Sequence, residues 1–130
     1  MSMELQLLGA AVVLGVVHLL WAAGAARRQQ GYEWAGGPRD EPRPVTGRAA
    51  RLERAFANYR ETFPLFAAAV LAAEVSDRTG TLTLVGSAMF VAARAAYLPL
   101  YAWHLGLGRS LAWFAAMAGL GLVVLGLFIP

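Results

Sequence analysis

One stretch constrains what this chain can fold into. From Arg54 to Glu61 the sequence is charged and polar, with Arg54, Asn58, Arg60 and Glu61. It then runs without a break into the apolar stretch Thr62–Ala73. The apolar part has 12 residues, whereas a bilayer-crossing helix needs about 20 residues at about 1.5 Å each. If this segment crosses, some of its charged turns lie at membrane depth, where ionisable groups are costly and point to function. The rest of the chain makes crossing the expected outcome. Of its 130 residues 58% are hydrophobic, and mean hydropathy is +0.53, against about 45–50% apolar residues in soluble domains.

The apolar runs are continuous rather than alternating, which excludes a spanning β-barrel. The sequence predicts an all-α integral membrane four-helix bundle of up-down topology in one domain, residues 1–130. Its spans are expected at about 3–26, 48–75, 81–103 and 110–129. The first apolar run is read as a retained helix. Its leading residues carry no positive charge, and Leu7 to Ala26 outruns a signal-peptide core. The linker 27–47 is rich in Gly and Pro and is expected as a loop. Six arginines lie between Arg27 and Arg51, Arg109 follows the third turn, and only Arg78 lies on the other side. That bias puts the long loop in the cytoplasm and both termini outside. It also accounts for the net charge of +3 without nucleic acid as a partner. Cysteine is absent, which excludes disulfides, thiolate metal sites and a cysteine nucleophile. Two histidines without a carboxylate pattern make no metal site, so none is expected.

The polar residues inside the spans form a pattern. At about 100° per residue, Arg54, Asn58 and Glu61 fall on one face of the second helix. On the third, Arg94, Tyr97 and Tyr101 share a face. Counting from the outer helix ends places Glu61 level with Arg94, both about 21 Å deep. Asn58 is then level with Tyr97, and Arg54 with Tyr101. Equal depth predicts a Glu61–Arg94 ion pair, because an unpaired charge there is expensive. The two faces would line a wet pocket for an anionic polar ligand, since Arg offers a planar fork and Tyr a single donor. Arg48 and Arg51 read as interfacial, snorkelling arginines. Arg60 points to another side of the helix. Pro64 and Pro99 each remove a backbone donor beside the cluster and are expected to kink their helices. Gly119, Gly121 and Gly126 fit close helix packing. His18, in the first span, reads as a histidine bonded to a neighbouring helix, or else as a proton carrier or ligand contact.

These residues resemble the MAPEG family, the membrane-associated proteins in eicosanoid and glutathione metabolism. Arg54, Ala55, Asn58, Glu61, Thr62 and Phe66 match its signature on helix two. Arg94, Tyr97, Tyr101 and Arg109 match its second motif, and the loop segment Gly37–Pro42 looks like the bacterial branch. The resemblance implies a homotrimer in the bacterial inner membrane that binds glutathione, or another low-molecular-weight thiol, as cosubstrate. Arg54, Asn58 and Glu61 would contact it from one subunit, and Arg94, Tyr97, Tyr101 and Arg109 from the next, with Ser110 retained beside them. Arg109 would be the catalytic residue, holding the thiolate for attack on a lipophilic small molecule or a membrane lipid hydroperoxide. Phe56 stands where several active members carry His, and Trp113 stands near a Tyr of some members. A non-catalytic trimeric lipid- or ligand-binding protein is therefore the alternative. A small proton-coupled exporter is a third reading, but it needs a carboxylate in the middle of the first helix, which offers only Glu4 and His18.

Overall fold

The computed structural model describes residues 1–129. Five helices follow one another: α1 (Met3–Gln30), α2 (Tyr32–Gly36), α3 (Gly47–Val75), α4 (Thr81–Ala102) and α5 (Gly106–Phe128). The described residues hold no strand. Of the four long helices, α1, α4 and α5 are long and apolar enough to cross a membrane. The fourth, α3, has the length, at 29 residues. Its N-terminal half carries the charged stretch and falls short on composition.

Two helix ends differ from expectation. α1 continues through Arg27 and Arg28 and stops at Gly31, whose φ of +91° no L side chain adopts easily. The two arginines lie in its last turn, where cations complement the helix dipole, so nothing ends the helix earlier. The expected loop 27–47 is thus helical at its start and contains α2. There Arg39 and Arg43 lie 5.8 and 5.9 Å from the Trp34 ring centroid. α5 starts at Gly106, so Arg109 lies inside its first turn and bonds back to the Leu105 carbonyl at 3.0 Å. The intervening turn passes through His104, at φ +59°.

α4 and α5 lie close enough for backbone contact. A Cβ on Gly86 would come within 2.5 Å of the Gly119 carbonyl oxygen, and one on Gly119 within 2.6 Å of the Gly86 oxygen. A Cβ on Gly126 would meet the Thr83 side-chain methyl at 2.7 Å. Gly121 differs from expectation, since a Cβ there meets nothing within 4 Å. Small residues allow this approach in a membrane, where packing rather than the hydrophobic effect holds helices together. Beneath the crossing, Phe66 of α3 stacks on Phe90 of α4 with centroids 4.1 Å apart, among Val70, Ala116 and Val123.

α1 packs on α3 through an aromatic column. Gly15 leaves room for the Tyr59 ring, whose hydroxyl donates to the Ala11 carbonyl. His18, fully buried, stacks on Tyr59 at 4.7 Å. It reaches no hydrogen-bond partner, so the expected bond to a neighbouring helix is replaced by ring stacking. At the opposite end the Thr83 hydroxyl bonds the buried Glu4 carboxylate at 2.7 Å, and Ser2 bonds Glu74. These contacts tie α1 to the starts and ends of its neighbours. α3 and α4 continue as helices through Pro64 and Pro99.

The α4–α5 crossing is checked by substitution. Gly86→Ala or Gly119→Ala is expected to lower stability by about 1–3 kcal/mol through overpacking. Gly121→Ala is expected to be neutral. Thermal unfolding in detergent, followed by circular dichroism, reads both.

Candidate functional site

The polar residues singled out in the sequence collect where α3, α4 and α5 meet. α3 contributes Asn58, half-buried, and Arg54, exposed. α4 contributes Arg94 and Tyr97, both buried, and Tyr101, half-buried. α5 contributes Arg109, half-buried, and Ser110. Asn58, Tyr97, Tyr101, Arg109 and Ser110 line a single cleft of about 290 Å³, together with Trp113 and Phe114.

Ring faces and cations organise the cleft. The Tyr97 and Tyr101 rings are 5.5 Å apart. The Arg109 guanidinium lies 4.5 Å from the Tyr101 centroid. On the other flank Arg54 Nε donates to the Tyr101 hydroxyl at 3.2 Å. Tyr101 thus separates two guanidinium groups that would repel each other if brought together, and each rests on a π surface that attracts it. The arrangement presents a cationic rim over a polar floor, which suits a ligand bearing carboxylates.

Arg94 lies behind the floor. It is completely buried, and its Nη1 donates to Asn58 Oδ1 at 2.7 Å. Its guanidinium carbon lies 4.1 Å from the Tyr97 centroid and 5.3 Å from that of Tyr59. Its Nε and Nη2 have no hydrogen-bond partner. The expected ion pair with Glu61 is absent: Glu61 is exposed, and the amide of Asn58 takes its place. Equal depth by residue count does not fix which side chains meet, since rotation about the helix axis is set by packing. Asn58 faces the α4 side, while Glu61 lies on the outward flank. Of the eight residues singled out, Glu61 alone is brought neither into the cleft nor against its supports.

Within the one chain, Arg54 meets Tyr101, and Asn58 shares the cleft with Tyr97, Tyr101 and Arg109. The remaining arginines of α3 have structural work. Arg51 Nε donates to the Ala102 carbonyl at 3.0 Å, satisfying an open acceptor at the end of α4. Arg48 rests over Trp103 at 5.3 Å.

Trp113 and Phe114 were not expected in the cleft wall. The signal was in the spacing: they follow Arg109 and Ser110 by four residues and so fall on the same helix face. The Trp113 Nε1–H is buried without an acceptor. Phe56, the other departure from the family pattern, lies elsewhere. It faces His18, with centroids 6.1 Å apart, and Arg60, at 4.9 Å, and does not line the cleft.

A sequence-family model described as the MAPEG family matches residues 7–129. Neither the curated proteins nor the solved structures give a match.

The Asn58–Arg94 bond gives a quantitative expectation. A double-mutant cycle with Asn58→Ala and Arg94→Ala is expected to show coupling of about 1.5–3 kcal/mol, the range for a hydrogen bond to a charged group. The same cycle with Glu61→Ala and Arg94→Ala is expected to show none. Chemical unfolding in detergent measures both.

Proposed function

The chain belongs to the MAPEG family, and on that footing we propose that it is a thiol-dependent transferase or peroxidase acting on lipophilic electrophiles. One observation carries the reading: five of the expected binding residues line one cleft, with arginines on both flanks of Tyr101. The cosubstrate is glutathione or a similar small thiol, whose carboxylates match the planar donors of Arg54 and Arg109. Asn58 and Ser110 supply neutral polar contacts. Arg94 holds the Asn58 amide in place from behind.

Arg109 carries the chemistry. A guanidinium beside the thiol favours its ionised form, and the thiolate is the nucleophile. With an aryl halide, the sulfur forms a bond to carbon and halide departs. With a lipid hydroperoxide, two thiols become one disulfide while the hydroperoxide becomes an alcohol and water. Trp113 and Phe114 form the apolar wall against which the lipophilic partner enters.

The protein assembles as a homotrimer in the inner membrane of a bacterium. All four long helices span, the Arg-rich segment between α1 and α3 is cytoplasmic and both termini face outward. The arginine bias supports this orientation. The cleft lies near the cytoplasmic ends of α3 and α4, within reach of a soluble thiol. A second reading, a non-catalytic lipid-binding protein, draws on Trp113, which stands in the cleft wall near the position of a Tyr in some members.

The two readings separate in one assay. The purified protein is tested for aryl halide conjugation and lipid hydroperoxide reduction with glutathione. Saturable activity is expected. Arg109→Ala is expected to lower kcat by about 100- to 1,000-fold, the scale for losing one charge-stabilising donor. Glutathione binding without turnover gives the second reading.

A further inference from the structure

α1 contributes no residue to the cleft, yet it carries a side chain to which the thiol chemistry gives no task. His18 has no exposed surface, and neither of its ring nitrogens has a hydrogen-bond partner. Burying a polar ring in this way is costly, and an aliphatic side chain would fill the space more cheaply. What His18 does have is a place in a chain of contacts. Its ring stacks on Tyr59 with centroids 4.7 Å and planes 21° apart, and it faces Phe56 at 6.1 Å. Beyond Tyr59 lies the Arg94 guanidinium, 5.3 Å from that ring's centroid. Beyond Phe56 lies Arg60, at 4.9 Å. The three rings of His18, Tyr59 and Phe56 thus run between two cations, one of them the support behind the cleft floor. No carboxylate bonds His18, and α5 does not touch α1. A charge on the ring would face Arg94 and Arg60 with nothing to offset it, so the ring works uncharged.

We infer that His18 is a positioning residue for the cleft, acting from α1 through Tyr59 and Arg94 on Asn58. The Tyr59 ring is closely confined. Its hydroxyl donates to the Ala11 carbonyl, a Cβ on Gly15 would come within 3.2 Å of its edge, and His18 stacks on it. Arg94 is held by less. It has one hydrogen bond, to Asn58 Oδ1, and two ring faces, those of Tyr97 and Tyr59. Replacing His18 with a side chain that is not flat gives the Tyr59 ring room to tilt, and Arg94 then loses one of its supports. Two donors of Arg94 have no partner, so a loosened guanidinium turns toward other acceptors and its hold on the Asn58 amide weakens. Asn58 lines the cleft. Arg109 rests on Tyr101, outside this chain of contacts. The effect of His18 therefore falls on ligand binding rather than on the cation that holds the thiolate. The inference deepens the proposed function by naming a residue outside the cleft on which thiol affinity depends, and only its kinetic test rests on that reading.

Asn58 is the sole asparagine in the chain, which makes the test direct. Protein isotope-labelled at asparagine alone gives one side-chain amide signal, read by NMR in detergent micelles. His18→Leu is expected to shift and broaden that signal. His18→Phe, which keeps a flat ring, is expected to return it to the wild-type position. Phe56→Leu, one ring further from Arg94, is expected to shift it less than His18→Leu does. Val17→Leu, on the exposed face of α1, is expected to leave it in place. In turnover with glutathione and an aryl halide, His18→Leu is expected to raise KM for glutathione by about tenfold, the scale of one weakened polar contact. The loss falls on KM rather than on kcat, and His18→Phe recovers it. Circular dichroism of each variant confirms that the helices remain. If His18→Leu does not fold, Phe56→Leu decides, and an unmoved signal there overturns the inference. So does an unmoved signal in folded His18→Leu, a His18→Phe signal that stays with that of His18→Leu, or an equal shift in Val17→Leu. A fall in kcat at unchanged KM overturns it as well. Wild-type protein that binds no glutathione counts against the thiol reading alone, because the Asn58 signal tests the positioning without a ligand.

Discussion

A guanidinium with no exposed surface sits at the centre of this bundle, and much of the site follows from how Arg94 is accommodated. Burying a charge is expensive unless it is hydrogen-bonded and surrounded by polarisable groups. Here the accommodation comes from one amide and two aromatic faces: Asn58, Tyr97 and Tyr59. Those three residues belong to α3 and α4 and point in different directions. Asn58 and Tyr97 also line the cleft, whereas Tyr59 turns to α1 and bonds Ala11. The same buried cation therefore links the floor of the cleft to the packing of the first helix. Two of its donors remain without partners, which leaves a strongly polar environment just behind the cleft floor.

α3 separates two kinds of surface. On one side Arg54 and Asn58 meet α4 and α5 and build the cleft. On another, Ala55, Phe66 and Val70 enter the core. Arg60 and Glu61 remain exposed in the single chain. A helix with polar groups on two of three sides cannot be stable alone in hydrocarbon, and its stability depends on what surrounds it. That explains why the segment looked contradictory as sequence: its apolar content is too small for a lone span but sufficient for one enclosed by other helices. α1 and α5, by contrast, leave apolar side chains exposed in the single chain.

Much of this was legible from residue order. Continuous apolar runs marked the long helices, and the six-arginine segment marked the longest connection. Depth counting placed Arg54 level with Tyr101 and Asn58 level with Tyr97, and both pairs meet at the cleft. The same count failed for Glu61 and Arg94. Helical rise is fixed by geometry, whereas rotation depends on how neighbouring helices pack, and that in turn depends on Gly15, Gly86 and Gly119. A close approach between two backbones leaves no mark on hydropathy. Gly121 shows the converse: it looks like its neighbours in sequence, yet the α5 face it occupies meets no partner.

The arginines show how residue type alone underdetermines role. Arg51 closes the end of α4, Arg48 rests on Trp103, and Arg94 is a buried support. Arg54 and Arg109 flank Tyr101, and of the two only Arg109 lines the cleft. Arg109 is the better placed for the proposed chemistry. It lies in the first turn of α5, where the open backbone N–H groups and the positive end of the helix dipole add to its own charge. An anion held there is stabilised by the side chain and by the helix that carries it. Ser110, Trp113 and Phe114 follow on the same face, so the cation, a hydroxyl and an apolar wall are delivered by one rigid element. The proposed reaction between a charged sulfur and a lipophilic carbon or oxygen needs that juxtaposition, because its two reactants prefer opposite solvents.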